Sequence, residues 1–362
     1  GAEYESSDIS HCRFGVSTVQ STFGNKSTFR CARERRVNGI ASRYPTVLSM
    51  NNGQDTGPFG KIFYEHDTMP SVKKMIPSTG QASGGVVVIV QGFNFTNTVE
   101  LACKFGDVHV NGQWFSMTEI RCLTPRHIPA TVYVEVSNNG IDWSESGIDF
   151  TFQADASVSS LYPTHGPERG MTLVTVYGNH FVNSHSLGCR FETIRTKMHQ
   201  YVSSTEVVCF APDSRRLGRP ASVKVEITNN NQTFTTNAVR YFFDASVAVA
   251  VLSPQSGPSS GQSRVIVYGH SFRDYPTLGC KFGDIKVNAF FITSSEIECV
   301  TPAMPIQSAP IEVTLNGYDY TFSKVEFHFE PEIIVTNIWP TMGPAFAGGT
   351  VVTVRGSGFR ET

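Results

Sequence analysis

The sequence has no long apolar run, few charged residues and no leader segment of the secretory kind. Its uninterrupted apolar stretches, such as Val86 to Val90, cover about five residues, whereas a helix that crosses a bilayer needs roughly 18 to 20. We therefore expect no membrane span in this segment, and a secretory signal would have been removed or would lie outside the sequence. Charged residues make up 17% of the 362 residues and the formal net charge is -2, which is typical of an ordinary folded chain and argues against a nucleic acid partner.

Motifs for catalysis, phosphate binding and metal binding are also absent. The 10 histidines form no His-Glu-x-x-His motif and no Ser/His/Asp grouping, and no glycine loop carries the Lys-Ser/Thr pair of a phosphate site. The segment Gly257 to Gly261 matches the Gly-x-Ser-x-Gly nucleophile elbow, but a proline turn precedes Ser259 and a strand-like run follows it. The elbow needs a strand and then a helix. The corresponding positions in the repeats described below hold Ala82 and Glu168, so we expect no enzyme activity, no cofactor and no bound metal.

Glycine, proline and phenylalanine are abundant instead. The chain contains 31 Gly, 19 Pro and 26 Phe among many short Val/Ile/Thr runs. This composition favours short strands joined by tight turns and argues against an α/β enzyme. A usual domain size of roughly 150 residues predicts two or three domains, and internal repeats raise that number.

The eight cysteines fall into four pairs whose members are 19 or 20 residues apart. An even count at a repeating spacing is typical of a disulfide framework made in an oxidising compartment. Zinc sites need closely spaced ligands, and no cysteine here has another within about five residues. Structural disulfides are therefore favoured over free buried thiols and over a metal site, and the chain is expected outside the cell, secreted or at the cell surface. The expected pairs are Cys12 with Cys31, Cys103 with Cys122, Cys189 with Cys209, and Cys280 with Cys299.

Three Asn-x-Ser/Thr acceptor sequences for N-glycans support the same compartment. They begin at Asn25, Asn94 and Asn231. Each motif is weak alone, because such triplets also arise by chance. Asn25 and Asn231 have turn-like polar neighbours and are the better candidates. We expect covalent N-glycans on the protein.

A unit of about 90 residues recurs along the chain. Each copy opens with Pro-x-x-Gly, continues through a second glycine into a run rich in Val, Ile and Thr, and ends that run with Gly-x-x-Phe. The complete copies continue with a Cys-x-Phe segment, a Cys-x-x-Pro segment and a closing hairpin, signalled for example by Asn139-Gly140. We expect Phe95, Phe181 and Phe272 to fill the core rather than to stack on a sugar. The openings are Pro77, Pro163, Pro254 and Pro340.

Six or seven short strands within about 88 residues predict a small antiparallel sandwich for each unit. Taken in order, Pro-x-x-Gly, a β-run, Gly-x-x-Phe, Cys-x-Phe-Gly and Cys-x-x-Pro resemble the IPT/TIG domain, an immunoglobulin-like module of plexin-type receptor ectodomains, Rel-type transcription factors and some sugar-processing enzymes. The resemblance covers essentially the whole chain. It implies an all-β fold of tandem immunoglobulin-like (IPT/TIG) β-sandwiches in an elongated array, with complete domains at residues 73–157, 158–247 and 248–333. It does not name a function, because this module serves widely different ones.

Two short basic clusters are candidate DNA-binding loops, because Rel-type modules bind DNA through basic loops. Residues 33–36 read Arg-Glu-Arg-Arg and residues 215–219 read Arg-Arg-Leu-Gly-Arg. Each cluster has an acidic neighbour, Glu34 or Asp213, and disulfides exclude the nucleus. We interpret both clusters as solvated loops, with contact to an acidic glycan or a neighbouring subunit as the alternative.

The two ends of the sequence resemble complementary halves of one more unit. Residues 1–72 contain a cysteine pair without the Pro-x-x-Gly opening, as the C-terminal part of a domain would, and residues 334–362 contain that opening, the β-run and Gly-x-x-Phe. The first piece fits less well, because Cys31 is followed by Ala32-Arg33-Glu34 instead of x-x-Pro. Either the C-terminal strands of one molecule complete the N-terminal piece of the next, or the sequence is one period of a longer chain of tandem modules. The residues expected to meet are Val351, Val352, Val354 and Phe359 at one end and Phe14, Phe23 and Phe29 at the other.

The leading hypothesis is a structural, non-enzymatic glycoprotein that builds an extracellular filament or surface appendage. Its main partner would be itself, in a head-to-tail homopolymer that becomes a helical fibril unless the contact closes into a ring. The alternative is a receptor or adhesion ectodomain fragment that binds a protein or glycan partner. A third hypothesis is an accessory region of a polysaccharide-active enzyme whose catalytic domain lies elsewhere.

Overall fold

The computed structural model of the chain describes residues 11–14, 17–25, 28–31, 42–49, 63–66, 68–196, 198–219, 221–237, 239–346 and 348–359. These residues form strands and turns, together with a short 3-10 helix at Ser214–Leu217, and the expected all-β class is confirmed. Within them, no helix has the length and apolar character needed to span a membrane. Contacts divide the chain into two compact units, Gly1–Ala154 and Asp155–Thr362.

The N-terminal residues form a five-stranded antiparallel sheet. Its strands are β1 (His11–Phe14), β2 (Ser17–Asn25), β3 (Thr28–Cys31), β4 (Ser42–Ser49) and β5 (Phe63–His66). They lie in the order β3-β2-β1-β4-β5, so β1 is central and β3 lies at one edge. Cys12 and Phe14 on β1 are buried. The segment Asn51-Asn52-Gly53, whose sequence predicts a closing hairpin, lies outside the described residues.

The first complete domain has eight strands in two sheets that share one long strand. They are β6 (Ser71–Ile76), β7 (Thr79–Gln81), β8 (Val87–Phe93), β9 (Ala102–Phe105), β10 (Val108–Ser116), β11 (Glu119–Leu123), β12 (Ala130–Ser137) and β13 (Ile148–Gln153). The first half of β10 pairs with β9 and its second half with β11. One sheet therefore runs β6-β8-β11-β10 and the other β10-β9-β12-β13-β7. The core lies where the alternating apolar residues of the two sheets meet, for example Val88, Phe105 and Phe150.

The strand β7 is a departure from the expected antiparallel sandwich. It pairs in parallel with β13, with Thr79 opposite Thr151. The chain passes from β6 in one sheet to β7 in the other within the Pro-x-x-Gly segment, which the sequence pattern presents only as a turn. This crossing also explains why the domain has eight strands instead of six or seven.

The second domain repeats this plan, and residue 197, between β18 and β19, lies outside the described residues. Its strands are β14 (Ser157–Tyr162), β15 (His165–Pro167), β16 (Leu173–Asn179), β17 (Gly188–Phe191), β18 (Ile194–Thr196), β19 (Met198–Ser203), β20 (Glu206–Phe210), β21 (Ser222–Thr228) and β22 (Arg240–Asp244). β18 and β19 occupy the place of β10, because β18 pairs with β17 and β19 pairs with β20. The described strands lie in the orders β14-β16-β20-β19 and β15-β22-β21-β17-β18.

The third domain matches the first, and a hairpin follows it. Its strands are β23 (Ala248–Ser253), β24 (Ser256–Pro258), β25 (Arg264–His270), β26 (Gly279–Phe282), β27 (Ile285–Thr293), β28 (Glu296–Val300), β29 (Ser308–Thr314) and β30 (Val325–Glu330). The hairpin consists of β31 (Ile334–Trp339) and β32 (Thr353–Ser357), which pair as β23 pairs with β25.

The Gly-x-x-Phe segment closes the core of each complete domain. A Cβ atom on Gly178 would lie 1.9 Å from the backbone oxygen of Ser157 and 2.6 Å from Cζ of Phe181, so only glycine fits between the strand and the ring. Phe181 itself is buried, as are Phe95 and Phe272 at the corresponding positions. These three phenylalanines fill the core as expected.

Candidate functional site

Four disulfides join the paired cysteines. The structure links Cys12 with Cys31, Cys103 with Cys122, Cys189 with Cys209, and Cys280 with Cys299. Their Cα atoms are 6.1 to 6.4 Å apart, inside the usual range for a disulfide. In the first domain the bridge connects β9 of one sheet with β11 of the other, so it ties the two layers of the sandwich together.

The glycan acceptor sequences lie in different surroundings. Asn94 and Asn231 are both exposed and both have positive φ angles, 59° and 64°. Asn94 Nδ2 donates a hydrogen bond to the backbone oxygen of Met69 at 3.1 Å, whereas Asn231 Oδ1 accepts one from the guanidinium of Arg195. The backbone of Asn25 belongs to β2, and the rest of its acceptor sequence lies outside the described residues.

The hairpin β31–β32 exposes the residues that form the core in a complete domain. Five of its apolar residues are 44 to 54% exposed, while their counterparts in the third domain are at most 6% exposed. Val351, another residue expected at the assembly contact, is 86% exposed. The hairpin residues and their counterparts are Val335 and Val249, Ile338 and Leu252, Val352 and Val265, Val354 and Val267, and Phe359 and Phe272.

The residues expected at the other half of this contact lie in the N-terminal sheet. Phe14 is buried on the central strand β1. Phe23 and Phe29 stand opposite each other on β2 and β3, and their side chains lie outside what the structure describes. Within the described residues, β3 pairs only with β2, so its other edge is open. In complete domains, the strand at this position, such as β11, pairs with the second hairpin strand, such as β8.

The basic loop at 215–219 is held by an acidic neighbour. Asp213 caps the 3-10 helix Ser214–Leu217 by accepting a hydrogen bond from the backbone N–H of Arg215 at 2.9 Å. The Arg215 guanidinium also donates to the Asp213 carboxylate, and this pairing lowers the pKa of Asp213 from the ordinary 3.8 to about 2. The charges of the loop are therefore partly neutralised in place. The other basic cluster, residues 33–36, lies outside the described residues.

An open depression lies beside Asn231 on the second domain. It has a volume of about 830 Å³, and Arg195, Thr196 and Asn231 contribute to its wall. The guanidiniums of Arg190 and Arg195 lie 3.6 and 4.9 Å from the centre of the Phe234 ring. Among the described residues, no group of three or more His, Cys, Asp or Glu side chains is arranged to hold a metal ion. Ser259 follows the short strand β24 and precedes β25, so the expected turn takes the place of a nucleophile elbow.

A polar contact in the unit Asp155–Thr362 has no counterpart in the sequence analysis. His165 and Asp244 of the second domain meet Tyr275 of the third domain around the Asp244 carboxylate. Burial and the neighbouring negative charge of Asp244 raise the pKa of Tyr275. Sequence reasoning missed this group because its members are 31 and 79 residues apart and form no motif.

Comparison with known proteins identifies the repeating unit. A sequence profile described as the IPT/TIG domain matches residues 70–152, 156–243 and 249–329, which confirms the predicted resemblance and the predicted immunoglobulin-like sandwiches. Neither this family nor the relatives below indicate an enzyme.

Similar proteins include two that are much longer than this chain. Plexin-2 of Caenorhabditis elegans is 23% identical over 286 residues, which are 74% of this chain and 15% of that protein. Fibrocystin-L of Homo sapiens is 23% identical over 327 residues, 88% of this chain and 8% of that protein. The solved extracellular region of plexin A4 is 15% identical, with a TM-score of 0.41, over 97% of this chain and 38% of that one. The chain thus spans a small part of its relatives, and together with the disulfides they place it outside the cell, secreted or at the cell surface.

Proposed function

Because the chain belongs to the IPT/TIG domain family, we propose that it is a non-catalytic part of the ectodomain of a larger receptor or adhesion protein. In this role the tandem domains space and present a surface for a protein or glycan partner. The observation that carries the proposal is the run of three consecutive IPT/TIG matches in a region similar to plexin-2 and fibrocystin-L. These relatives favour the ectodomain over the fibre that the sequence analysis put first, and they give the fibre no support.

The architecture suits such a role. Each complete domain has its own buried core and its own disulfide between the two sheets, so it keeps its fold without a ligand. Loops at such domains vary without disturbing the core, which is the usual way in which immunoglobulin-like modules acquire binding surfaces. The partner is then selected by loops and exposed strands, with no chemical step.

Immunofluorescence and an immunoblot of the source cells test the ectodomain proposal with one antibody raised against residues 70–329. The antibody should stain intact cells. On an immunoblot, after reduction and deglycosylation, it should detect a polypeptide far larger than 362 residues. A reduced band at the mass of the 362-residue chain would remove the larger ectodomain. Staining that requires permeabilised cells would remove the surface location.

A fibre is the second candidate, and the exposed hairpin β31–β32 favours it. Five apolar side chains that are buried in the third domain are about half exposed in the hairpin. Burying the exposed half of these five side chains would stabilise the contact by about 5 kcal/mol before entropy costs. The open edge of β3 in a second copy offers a matching strand, because β1 to β5 follow the order of β9 to β13.

The register of this contact follows from the complete domains. Cys299 of β28 stands opposite Val265 of β25, and Ile297 stands opposite Val267. The same register would place Cys31 of one copy opposite Val352 of the next, and Phe29 opposite Val354. A contact of this kind is head-to-tail, so it extends into a fibre unless it closes into a ring.

Electron microscopy at rising protein concentration tests the fibre. The fibre candidate expects long polymers from the intact chain, and none after deletion of residues 334–362 or in Val354→Asp, which puts a charge into the buried contact. Thr353→Asp is the matched control, because successive residues of a strand face opposite sides and Thr353 points away from the contact. Monomers at every concentration, or polymers that persist in Val354→Asp, would exclude this contact. The outcome of this test does not change the length of the polypeptide that the immunoblot measures, so the two proposals are tested separately.

A further inference from the structure

The second and third domains meet around a buried carboxylate. Asp244 at the end of β22 is 4% exposed, and its Oδ2 lies 2.6 Å from Nδ1 of His165 in the same domain. Its Oδ1 accepts a hydrogen bond at 3.1 Å from the hydroxyl of Tyr275, which belongs to the third domain. The centres of the His165 and Tyr275 rings are 4.2 Å apart. The rings of Tyr162 and Tyr318 meet edge to face, with their centres 5.5 Å apart. Asp244 thus takes one hydrogen bond from each domain.

A second set of hydrogen bonds joins the same two domains at the turn after β29. Asn316 Nδ2 donates to the backbone oxygen of His165 at 3.1 Å and to Asp319 Oδ2 at 2.7 Å. The same Asp319 oxygen accepts a hydrogen bond from the hydroxyl of Thr172 at 2.7 Å. Thr172 and Asn316 are buried. A Cβ atom on Gly166 would come within 2.4 Å of Thr172 Oγ1 and 3.3 Å of Asn316 Nδ2, so the two domains approach closely there.

Not all residues of this contact are general features of the repeat. The turn residues Asn316 and Asp319 recur as Asn139 and Asp142 in the first domain, where the same side-chain hydrogen bond forms, whereas His165 and Tyr275 are replaced in both other domains. A contact that needs His165 and Tyr275 on either side of a carboxylate is therefore specific to this pair of domains. In the repeat, Thr79 and Gln153 of the first domain correspond to His165 and Asp244, and Ser184 and Thr233 of the second domain correspond to Tyr275 and Asp319.

We propose that the second and third domains form one rigid segment, locked by Asp244 and the turn Asn316 to Asp319. Moving either partner away would leave one oxygen of the buried Asp244 carboxylate without its hydrogen bond, which costs free energy. The two hydrogen bonds therefore favour one arrangement of the two domains. The angle between these domains is therefore set by specific bonds, while each domain keeps its own core. The inference holds whether the array is part of an ectodomain or of a fibre.

Hydrogen exchange of the full chain tests the lock through its effect across the domain boundary. Tyr275→Phe, a change in the third domain, should raise the exchange rate of the amides of Glu168 and Phe242 in the second domain by about tenfold, which corresponds to the loss of one hydrogen bond to a charged group. These amides are protected by bonds to the backbone oxygens of Asp244 and Thr164. Asp244→Asn should likewise raise exchange at the turn Asn316 to Asp319.

Matched control substitutions distinguish coupling between the two domains from a change in stability that is confined to the third domain. Tyr268→Phe removes a tyrosine hydroxyl from the same domain as Tyr275, and Asp274→Asn removes a negative charge next to it; neither residue takes part in the contact described here. Both controls should leave exchange in the second domain unchanged. If Tyr275→Phe raises exchange only within the third domain, the two domains are not coupled and the proposal fails. Tyr275→Phe is the decisive variant, because Tyr275 lies in a loop and the third domain should stay folded without its hydroxyl. Asp244→Asn is less decisive, because it can disturb the second domain itself.

Discussion

At the scale of single residues, the three complete domains serve as controls for one another. Tyr241 is buried at the position that Phe150 and Phe327 occupy in the other two domains. An aromatic ring fills the core at all three positions. The sequence pattern could not indicate that Tyr241 keeps a hydroxyl beside Gly166 and Thr172, because that proximity depends on the crossing from β14 to β15.

The first prediction concerns this tyrosine. Burial raises the pKa of Tyr241, so its phenol stays neutral in the folded protein. Tyr241→Phe should change the free energy of unfolding of the second domain by no more than about 1 kcal/mol, because a phenyl ring fills the same space in the sister domains. Tyr241→Ala should cost about 3 to 5 kcal/mol through the cavity it leaves. Denaturant titration followed by exchange of second-domain amides measures both, and a larger loss for Phe than for Ala would contradict the assignment.

The second prediction concerns the pH dependence of the loop at Asp213. Its folded pKa of about 2 lies below the ordinary 3.8, so the interaction with Arg215 stabilises the loop fully above pH 3.8 and is lost as the pH falls toward about 2. A carbon-detected NMR titration of the Asp213 carboxyl should give a midpoint near 2 in the native protein. Arg215→Gln should return that midpoint toward 3.8, whereas Arg216→Gln should move it much less. Equal shifts in both variants would disprove the direct pairing.

At the scale of strands and turns, the sequence pattern predicted the strands that carry the core. It missed β7, through which the chain crosses from one sheet to the other, and the shared strand β10. The run after each second glycine and the cysteine-bearing strands are where alternation and β-branched residues predicted them. β7 is only three residues long and its pairing partner β13 is about 70 residues away, so no local pattern marks it. The shared strand β10 was also unforeseen, because its two halves pair with different neighbours without any change in the composition of the strand.

The third prediction tests the Gly-x-x-Phe closure. Gly178→Ala places a methyl group within 1.9 Å of the Ser157 oxygen and against the Phe181 ring, so β14 must move away from β16. We expect a loss of about 3 kcal/mol in the stability of the second domain. Gly188→Ala is the control in the same domain, because a methyl there meets only Thr228 Cγ2 at 3.9 Å. Thermal unfolding compares the two, and equal melting temperatures would show that the closure tolerates a side chain.

At the scale of the whole molecule, the repeat spacing predicted a series of sandwiches and the resemblance of the motifs identified them as IPT/TIG domains, which the family match confirmed. The same spacing predicts incomplete pieces at the two ends, and this stays a prediction, while the apolar residues of the hairpin β31–β32 are exposed. It could not choose between a second copy and a continuing chain as the missing part, because both supply the same strands. Nor could it reveal the lock at Asp244, which depends on how two folded domains meet.

The fourth prediction concerns where carbohydrate is attached. Asn231 is exposed, contributes to the wall of the open depression and accepts the Arg195 hydrogen bond through Oδ1. Asn94 Nδ2 is bonded to Met69, so a sugar there must fit against the start of β6. We expect glycan occupancy at Asn231 to exceed that at Asn94. Peptide mapping after enzymatic deglycosylation in heavy-oxygen water measures both sites, and Asn231→Gln should reduce the intact mass by a whole glycan. Higher occupancy at Asn94 would reverse this ranking.

The bridges between the sheets also limit how far the protein can lengthen under tension. When a complete domain is pulled apart from its ends, the residues between its two cysteines are bypassed by the covalent link and contribute nothing to the stretched length. Each bridge spans 19 or 20 residues, which removes roughly 65 Å of extension from every domain that opens. Under tension, each domain of such an array would lengthen by less than the same domain without its bridge, because the looped residues stay closed when the rest of the domain is extended.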